Sequence, residues 1–175
     1  TQSIFYDSPY GGGPQDIVLP FGGVHNTGKF VFKSMWKIPY GNAAYFNFQG
    51  GATIGSSWAM DFYMDNNGYF YVNKLSGVYP QDQWFEIKVV VDFASNRWEV
   101  FIDNVSQGTF SSSVNSVSYL DIYGVYNNSS FWVDDVSYCF DNACNPDLEI
   151  TSFSINPSPI CSNHNGDVNL EIYNY

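Results

Sequence analysis

The feature that most restricts the fold of this chain is an alternation of apolar and polar residues, interrupted by short turn sequences. Residues 58–64 read Trp-Ala-Met-Asp-Phe-Tyr-Met, so every second side chain is large and apolar. Successive side chains of a β-strand point to opposite faces, and this spacing therefore predicts a strand with one buried face. Similar patterns recur in residues 28–39, 43–49, 69–73, 84–92, 98–102, 119–126 and 130–138.

The composition and the turn sequences also indicate an all-β chain. Residues that favour strands (Val, Ile, Thr, Tyr, Phe and Trp) outnumber the good helix formers. The segment Asp65-Asn66-Asn67-Gly68 tolerates positive φ and predicts a hairpin turn, whereas residues 75–83 are predicted to be a loop. About ten strands separated by polar turns predict, for residues 1–145, a two-sheet antiparallel β-sandwich of the jelly-roll type.

The charge of the chain excludes some classes of partner. Six basic residues stand against seventeen acidic ones, and the formal net charge is −11. Phosphate binding needs clustered Lys and Arg, so the composition argues against nucleic acid and against an anionic membrane surface. No apolar run approaches the roughly 20 residues that cross a bilayer, which argues against membrane insertion.

The character of the sequence changes at Asn145-Pro146. Two further strands are predicted in residues 147–155 and 167–173, with a turn between them. Because two strands do not form a stable sheet domain alone, we expect residues 146–175 to begin a second, immunoglobulin-like module that is either truncated or continued elsewhere.

The three cysteines indicate a cellular compartment. Cys139 and Cys144 are separated by four residues and are predicted to close a small disulfide loop just after a strand. A zinc site would need a second close pair or nearby His ligands, and His25 and His164 are isolated in the sequence. The disulfide implies an oxidising compartment, so we expect a secreted or cell-surface protein. Cys161 is then either a free thiol or has its partner elsewhere in a longer chain.

The central strands resemble a known family of domains. Residues 84–92 (Trp-Phe-Glu-Ile-Lys-Val-Val-Val-Asp) and 97–104 (Arg-Trp-Glu-Val-Phe-Ile-Asp-Asn) look like the central hairpin of laminin-G-like, concanavalin A-like domains. Residues 131–136 resemble their closing strand, whereas Asn104 stands where the family often has Gly. Together they are similar to the MAM-like or adhesin-type jelly-roll modules of Bacteroidetes (flavobacterial) surface proteins. Residues 146–150 look like the start of the immunoglobulin modules that follow those modules.

The resemblance also implies a metal site and a route of export. Members of this fold frequently hold a structural Ca²⁺ where the first and last strands meet. Asp7 near the start, and Asp134 or Asp135 near the end, are the candidate ligands. The chain would be secreted, and passage as a cargo of type IX secretion is a further implication of the family.

Residues suited to catalysis are not evident in the sequence. Glycoside hydrolysis needs two carboxylates that face each other across the substrate. Among the four Glu residues, Glu86 and Glu99 lie on adjacent predicted strands, but Lys88 and Arg97 lie beside them. A solvated ladder of charges explains this arrangement better, and we therefore expect no catalytic site and no enzyme activity.

A ligand-binding surface is the stronger hypothesis. Three successive strands place the following side chains opposite the predicted core: Tyr45, Asn47, Gln49, Asp61, Tyr63, Tyr69 and Tyr71. If these strands are neighbours in one sheet, with Phe46, Phe62 and Phe70 in the interior, the residues form a Tyr-rich, acidic platform. Aromatic rings stack on sugar rings, while amides and carboxylates bond hydroxyl groups.

The sequence thus predicts a non-catalytic module that binds a polysaccharide or surface glycan, or mediates adhesion, beside other domains of the same chain. The alternative is a structural spacer or accessory domain of a secreted enzyme. Cross-strand Tyr pairs support this alternative equally, because they stabilise an exposed sheet without any ligand.

Overall fold

The structure is a computed structural model that describes residues 3–8 and 15–141. Within these two ranges the chain forms strands and no α-helix, and none of the described residues belongs to a helix able to cross a membrane. The strands are β1 (Ile4–Ser8), β2 (Asp16–His25), β3 (Lys29–Lys37), β4 (Ala44–Gln49), β5 (Trp58–Met64), β6 (Tyr69–Val72), β7 (Leu75–Val78), β8 (Trp84–Asp92), β9 (Arg97–Ile102), β10 (Val105–Phe110), β11 (Val117–Tyr123) and β12 (Ser129–Phe140).

The strands form two six-stranded sheets in which all paired neighbours are antiparallel. Sheet A has the strand order β1-β12-β3-β8-β9-β10, and sheet B has the order β2-β11-β4-β5-β6-β7. Each sheet therefore mixes strands from both ends of the described chain, as expected when long connections cross between two layers. The prediction of an all-β, two-sheet antiparallel sandwich is confirmed.

Large aromatic side chains fill the space between the two sheets. In sheet B the rings of Phe46, Phe62 and Phe70 stack in a row across three strands, with centroids 5.0 and 5.5 Å apart. Trp36 of sheet A meets Phe46 at 5.2 Å, so the two layers are in direct contact. Each fully buried ring of this kind contributes about 1.5–3 kcal/mol through removal from water. The predicted inward positions of these three phenylalanines are confirmed.

Four strands of the structure, β1, β2, β7 and β10, were not among the alternating segments identified in the sequence. Leu75–Val78, predicted to lie in a loop, forms edge strand β7, and Val105–Phe110 forms edge strand β10. Both are mostly exposed or half-buried, so they lack the large apolar residue at every second position that identifies a buried strand. Ile4–Ser8 adds β1 at the other edge of sheet A. Backbone pairing to a neighbour, rather than side-chain periodicity, defines such edges.

Several predictions fall on residues that the structure does not describe. The second module (residues 146–175) and the cysteines at 144 and 161 lie outside the described ranges. Cys139 lies near the end of β12, beside Val31 of β3. The Cys139–Cys144 disulfide and the immunoglobulin-like module therefore stay predictions.

Candidate functional site

The seven predicted binding residues all lie on the outer face of sheet B. β4, β5 and β6 are adjacent, and their register places Tyr45 opposite Tyr63 and Tyr63 opposite Tyr71. In the same way, Asn47 lies opposite Asp61. Paired residues of an antiparallel sheet share a face, so the strands carry one continuous row of side chains. We call the outer surface formed by Tyr45, Asp61, Tyr63, Tyr69, Tyr71, Tyr123 and Tyr126 the tyrosine face.

The seven residues differ in their exposure to solvent. Tyr69 and Tyr71 are 48% and 45% exposed, and Asp61 and Tyr63 are half-buried. Tyr45, Asn47 and Gln49 of β4, which the sequence placed on the solvated side, are buried instead. β4 is a central strand of its sheet, and long side chains of the neighbouring strands cover it.

Specific contacts account for the burial of the β4 residues. The ring of Tyr45 lies between those of Tyr63 and Tyr123, with centroids 4.7 and 4.9 Å away. The loop between β4 and β5 contacts Gln49, since the Gly55 amide donates a 2.7 Å hydrogen bond to Gln49 Oε1. The exposed tyrosines and Asp61 therefore form the upper level of the site, and the β4 side chains form its floor.

Carboxylates hold the hydroxyl groups of the tyrosine face. The Tyr45 hydroxyl donates to Asp61 Oδ1 at 2.5 Å, and the Tyr71 hydroxyl donates to Asp65 Oδ2 at 3.3 Å. Asp65 belongs to the predicted hairpin turn, where its Oδ1 accepts the amides of Asn67 and Tyr69 at 2.9 Å each. The turn prediction is thus confirmed, and the same side chain that shapes the turn also orients Tyr71.

A buried carboxyl group that the sequence analysis did not single out lies beneath this face. Asp121 of β11 is only 6% exposed, and its Oδ2 accepts hydrogen bonds of 3.0 Å from Asn47 Nδ2 and Gln49 Nε2. Burial, together with the neighbouring Asp16 carboxyl, raises the pKa of Asp121 to about 7, although the two amides act in the opposite direction. Asp121 is therefore largely protonated below neutral pH.

Two buried oxygen atoms of the floor have no hydrogen-bond partner in the described part of the chain. They are Asn47 Oδ1 and Asp121 Oδ1. Protonated Asp121 offers a donor hydrogen that a carboxylate lacks, and Asp16 lies within hydrogen-bonding reach. A raised pKa is typical of a general acid, but Asp121 Oδ1 is shielded from solvent and Oδ2 is occupied by two amides. The group holds the floor together rather than presenting an oxygen to a substrate.

The basic residues are concentrated in sheet A, whereas acidic residues occur in both sheets. Sheet B carries the carboxylates at and beneath the tyrosine face, namely Asp16, Asp61, Asp65 and Asp121. Five of the six basic residues of the chain lie in sheet A: Lys29, Lys33, Lys37, Lys88 and Arg97. The remaining one, Lys74, lies in the β6–β7 turn. Desolvation, followed by the field of the nearby carboxylate, raises the pKa of Tyr63, which lies beside Asp61, and of Tyr71, which lies beside Asp65.

The predicted calcium ligands are separated in sheet A. Asp7 pairs with Ser130 of β12. Asp134 lies four residues further along β12, which places the two Cα atoms about 13 Å apart. Asp134 Oδ1 accepts the amide of Asp135 at 2.9 Å, at a bulge where Asp135 has a φ of 48°. No group of three or more acidic, His or Cys side chains suited to a metal occurs among the described residues. Calcium binding stays an untested prediction.

Glu86 and Glu99, considered above as a possible catalytic pair, are not opposite each other. Glu99 pairs with Val90 of β8, four residues from Glu86. Its carboxylate forms a 2.8 Å ion pair with Arg97. The ion-paired Glu99 agrees with the predicted charge ladder, whereas Glu86 Oε1 is buried and has no hydrogen-bond partner in the described part of the chain.

Comparisons with known proteins reveal a shared fold. No protein-family model and no curated protein sequence matches the chain. A sialidase superposes with a TM-score of 0.57 at 9% identity, over 73% of this chain but only 14% of the sialidase. Sheep galectin-11 in complex with glycerol superposes with a TM-score of 0.52 at 16% identity, over 70% of this chain and 96% of the galectin.

An alginate lyase of polysaccharide lyase family 7 also matches, with a TM-score of 0.49 at 12% identity over 67% of this chain and 62% of the lyase. The sialidase and galectin matches show that this chain shares a jelly-roll, concanavalin A-like β-sandwich fold. At such low identities the likeness is one of fold alone.

Proposed function

We propose that the tyrosine face binds carbohydrate and that the chain is a non-catalytic glycan-binding or adhesion module of a secreted or cell-surface protein. The observation that carries this proposal is the row of tyrosines that crosses adjacent strands, with Tyr69 and Tyr71 almost half exposed beside Asp61. Exposed rings offer stacking surfaces for the apolar faces of sugars, and the carboxylate accepts hydrogen bonds from hydroxyls.

The rigidity of the face also supports a binding role. Tyr45 is held between two rings, and Tyr71 is held by Asp65 of the turn. Side chains that are already fixed lose little conformational entropy when a ligand binds, which favours affinity. Burial of amide and carboxyl groups costs free energy, and exposed rings alone would be enough to stabilise a purely structural sheet surface.

The fold neighbours agree with this proposal. The galectin that shares the fold was captured with glycerol, a small polyol, and the sialidase is named for a sugar substrate. A jelly roll supports both binding and catalysis, so the residues must decide between them. The carboxyl group of Asp121 has a pKa raised to about 7, which would suit a general acid. Asn47 and Gln49 enclose this group and keep it from a substrate, which supports a binding rather than a catalytic role.

The experiment that tests the proposal is affinity gel electrophoresis against a panel of soluble neutral and charged polysaccharides, followed by calorimetry on any that retard the protein. The double variant Tyr69→Ala/Tyr71→Ala removes two exposed rings of the face. Trp84→Ala removes a 41% exposed ring from sheet A and is the matched control. We expect the double variant to lose at least about tenfold in affinity, since ring stacking is worth about 1–3 kcal/mol per ring in comparable contacts.

Two outcomes would contradict the proposal. Equal retardation of the wild type and the double variant would show that the tyrosine face does not hold the glycan. Absence of retardation by every polysaccharide would leave the structural spacer or accessory domain as the better explanation of the tyrosine row.

A further inference from the structure

We propose that the glycan recognised by the tyrosine face carries positive charge, as in a polymer of amino sugars with free, protonated amines. This inference rests on the proposed function and names the class of ligand for the same site. It follows from the combination of aromatic rings and uncompensated carboxylates on one surface, and it excludes acidic glycans such as polyuronates.

The carboxylates lie among the aromatic rings. Asp61 is bonded to Tyr45 and lies beside Tyr63, whereas Asp65 is bonded to Tyr71 at the next hairpin turn. Both Asp61 and Asp65 are half-buried and stay accessible to a ligand on the outer surface. A cation above the tyrosine rings is attracted by the ring quadrupoles and by both carboxylates at the same time.

No basic side chain of the described residues neutralises these carboxylates. The ion pair that the structure contains, Arg97–Glu99, lies in sheet A, and none involves Asp61 or Asp65. Five of the six basic residues also lie in sheet A, and the sixth, Lys74 in the β6–β7 turn, forms no ion pair with either carboxylate. Because the outer faces of a sandwich lie on opposite sides of the protein, farther apart than the roughly 8–10 Å Debye length, the sheet A cations are too distant and too screened to offset the field at the tyrosine face. A ligand with its own cations supplies the missing charge.

The buried floor provides a second, independent observation. Asn47, which lies opposite Asp61 on the outer face, has a buried Oδ1 atom without a hydrogen-bond partner in the described part of the chain. A carbonyl oxygen that lacks a donor adds negative potential in a region of low dielectric constant, where a nearby cation is stabilised most.

The test compares three oligosaccharides of equal length by calorimetry at mildly acidic pH and low salt. Oligomers of β-1,4-linked glucose are neutral, those of β-1,4-linked glucosamine replace one hydroxyl per ring with an ammonium group, and oligogalacturonate is anionic. We expect the glucosamine oligomer to bind at least about tenfold tighter than the glucose oligomer, with a preference that falls as salt is added. Oligogalacturonate should not bind.

Two matched double variants locate the effect. Asp61→Asn/Asp65→Asn removes two charges from the tyrosine face but keeps the Oδ1 acceptors of the bonds from Tyr45, Asn67 and Tyr69. At residue 65 the new amide group can donate to the Tyr71 hydroxyl, which donates to Asp65 Oδ2 in the wild type. Glu99→Gln/Asp103→Asn removes two charges from β9 of sheet A and the turn that follows it. The first variant should lose at least about tenfold in affinity for the glucosamine oligomer, and its loss of affinity for the glucose oligomer should be much smaller. The second should leave both affinities within about twofold of wild type.

The outcomes separate this inference from the proposed function. If both oligomers bind with equal affinity, the charge preference is refuted and carbohydrate binding stands. If the two double variants weaken binding of the glucosamine oligomer equally, the attraction is a general effect of the net charge, and the site-specific inference is refuted. If neither oligomer binds, both the inference and its premise fail for this linkage. A circular dichroism spectrum and a melting temperature like those of the wild type show that each variant is folded.

Discussion

Replacement of Asp121 by asparagine tests the electrostatics of the site floor most directly. The carboxyl group is buried, its Oδ2 accepts two amide hydrogen bonds, and the Asp16 carboxyl lies beside it. An asparagine side chain imitates protonated aspartic acid, because its oxygen accepts from Asn47 and Gln49 while its amide donates toward Asp16. The Asp121→Asn variant therefore keeps the hydrogen bonds of the protonated state at every pH.

The expected change in the free energy of unfolding follows from the difference between the pKa of Asp121 in the unfolded and folded states. The pKa of Asp121 rises from 3.8 to about 7 on folding. At about 1.4 kcal/mol per pKa unit, this change corresponds to roughly 4 kcal/mol. We expect about 2 kcal/mol, because Asp16 is exposed and solvent screens part of the interaction. The folded state binds the proton more tightly, so this stabilisation is complete below about pH 4 and is lost as the pH rises to about 7.

The assay is urea unfolding of the wild type and the Asp121→Asn variant across this range of pH. The free energy of unfolding of the variant, relative to wild type, should increase by about 2 kcal/mol between about pH 4 and pH 8. This equals a gain of about 6 °C in melting temperature at the higher pH. The Asp16→Asn substitution should make the stability difference between Asp121 and Asn at this position depend less on pH, because the Asp16 carboxyl is one of the groups that raise the pKa of Asp121. A difference that is constant with pH, or that changes in the opposite direction, would refute the reasoning.

Three further predictions concern the sandwich and the predicted calcium site. Tyr6→Phe removes the buried 3.1 Å hydrogen bond from β1 of sheet A to the Ile122 carbonyl of sheet B and should cost about 1 kcal/mol in urea unfolding, whereas no loss would show that the bond is dispensable. Phe46→Ala leaves a cavity between the sheets and should cost about 3–5 kcal/mol; a loss below about 1 kcal/mol would contradict the packing described. A structural Ca²⁺ would raise the melting temperature by several degrees over that in excess chelator, and equal melting temperatures would exclude it.

Much of the fold could be predicted from the sequence because strands with one buried face have an alternating pattern of apolar and polar residues. In β5 and β8 every second residue is large and apolar, and all of these residues except the exposed Trp58 point to the core. β3 follows the same pattern, with Ser34 as its one polar residue on the inward face. Edge strands β7 and β10 have few buried side chains, so the alternating pattern is weak in their sequences. Their position depends on hydrogen bonds to β6 and β9, which a pattern of side chains does not reveal.

The site was predicted in part for the same reason. Alternation placed Tyr45, Tyr63 and Tyr71 on one face, and the neighbouring order of β4, β5 and β6 follows from short connections. Burial of Tyr45 depends on Tyr123, which is distant in sequence and arrives through β11. The role of Asp121 was missed because its partners Asn47 and Gln49 are more than seventy residues away.

The sequence by itself determined that this chain is all β, which side chains of its regular strands face the core, and where the tight turn at residues 65–68 lies. These properties depend on interactions between residues close in the chain, and local periodicity records them. The tertiary structure alone decided the strand order of the two sheets, the concentration of basic residues in sheet A, and the burial of Asp121. Those properties depend on pairing between distant strands, where burial and a neighbouring charge set the electrostatics of each group.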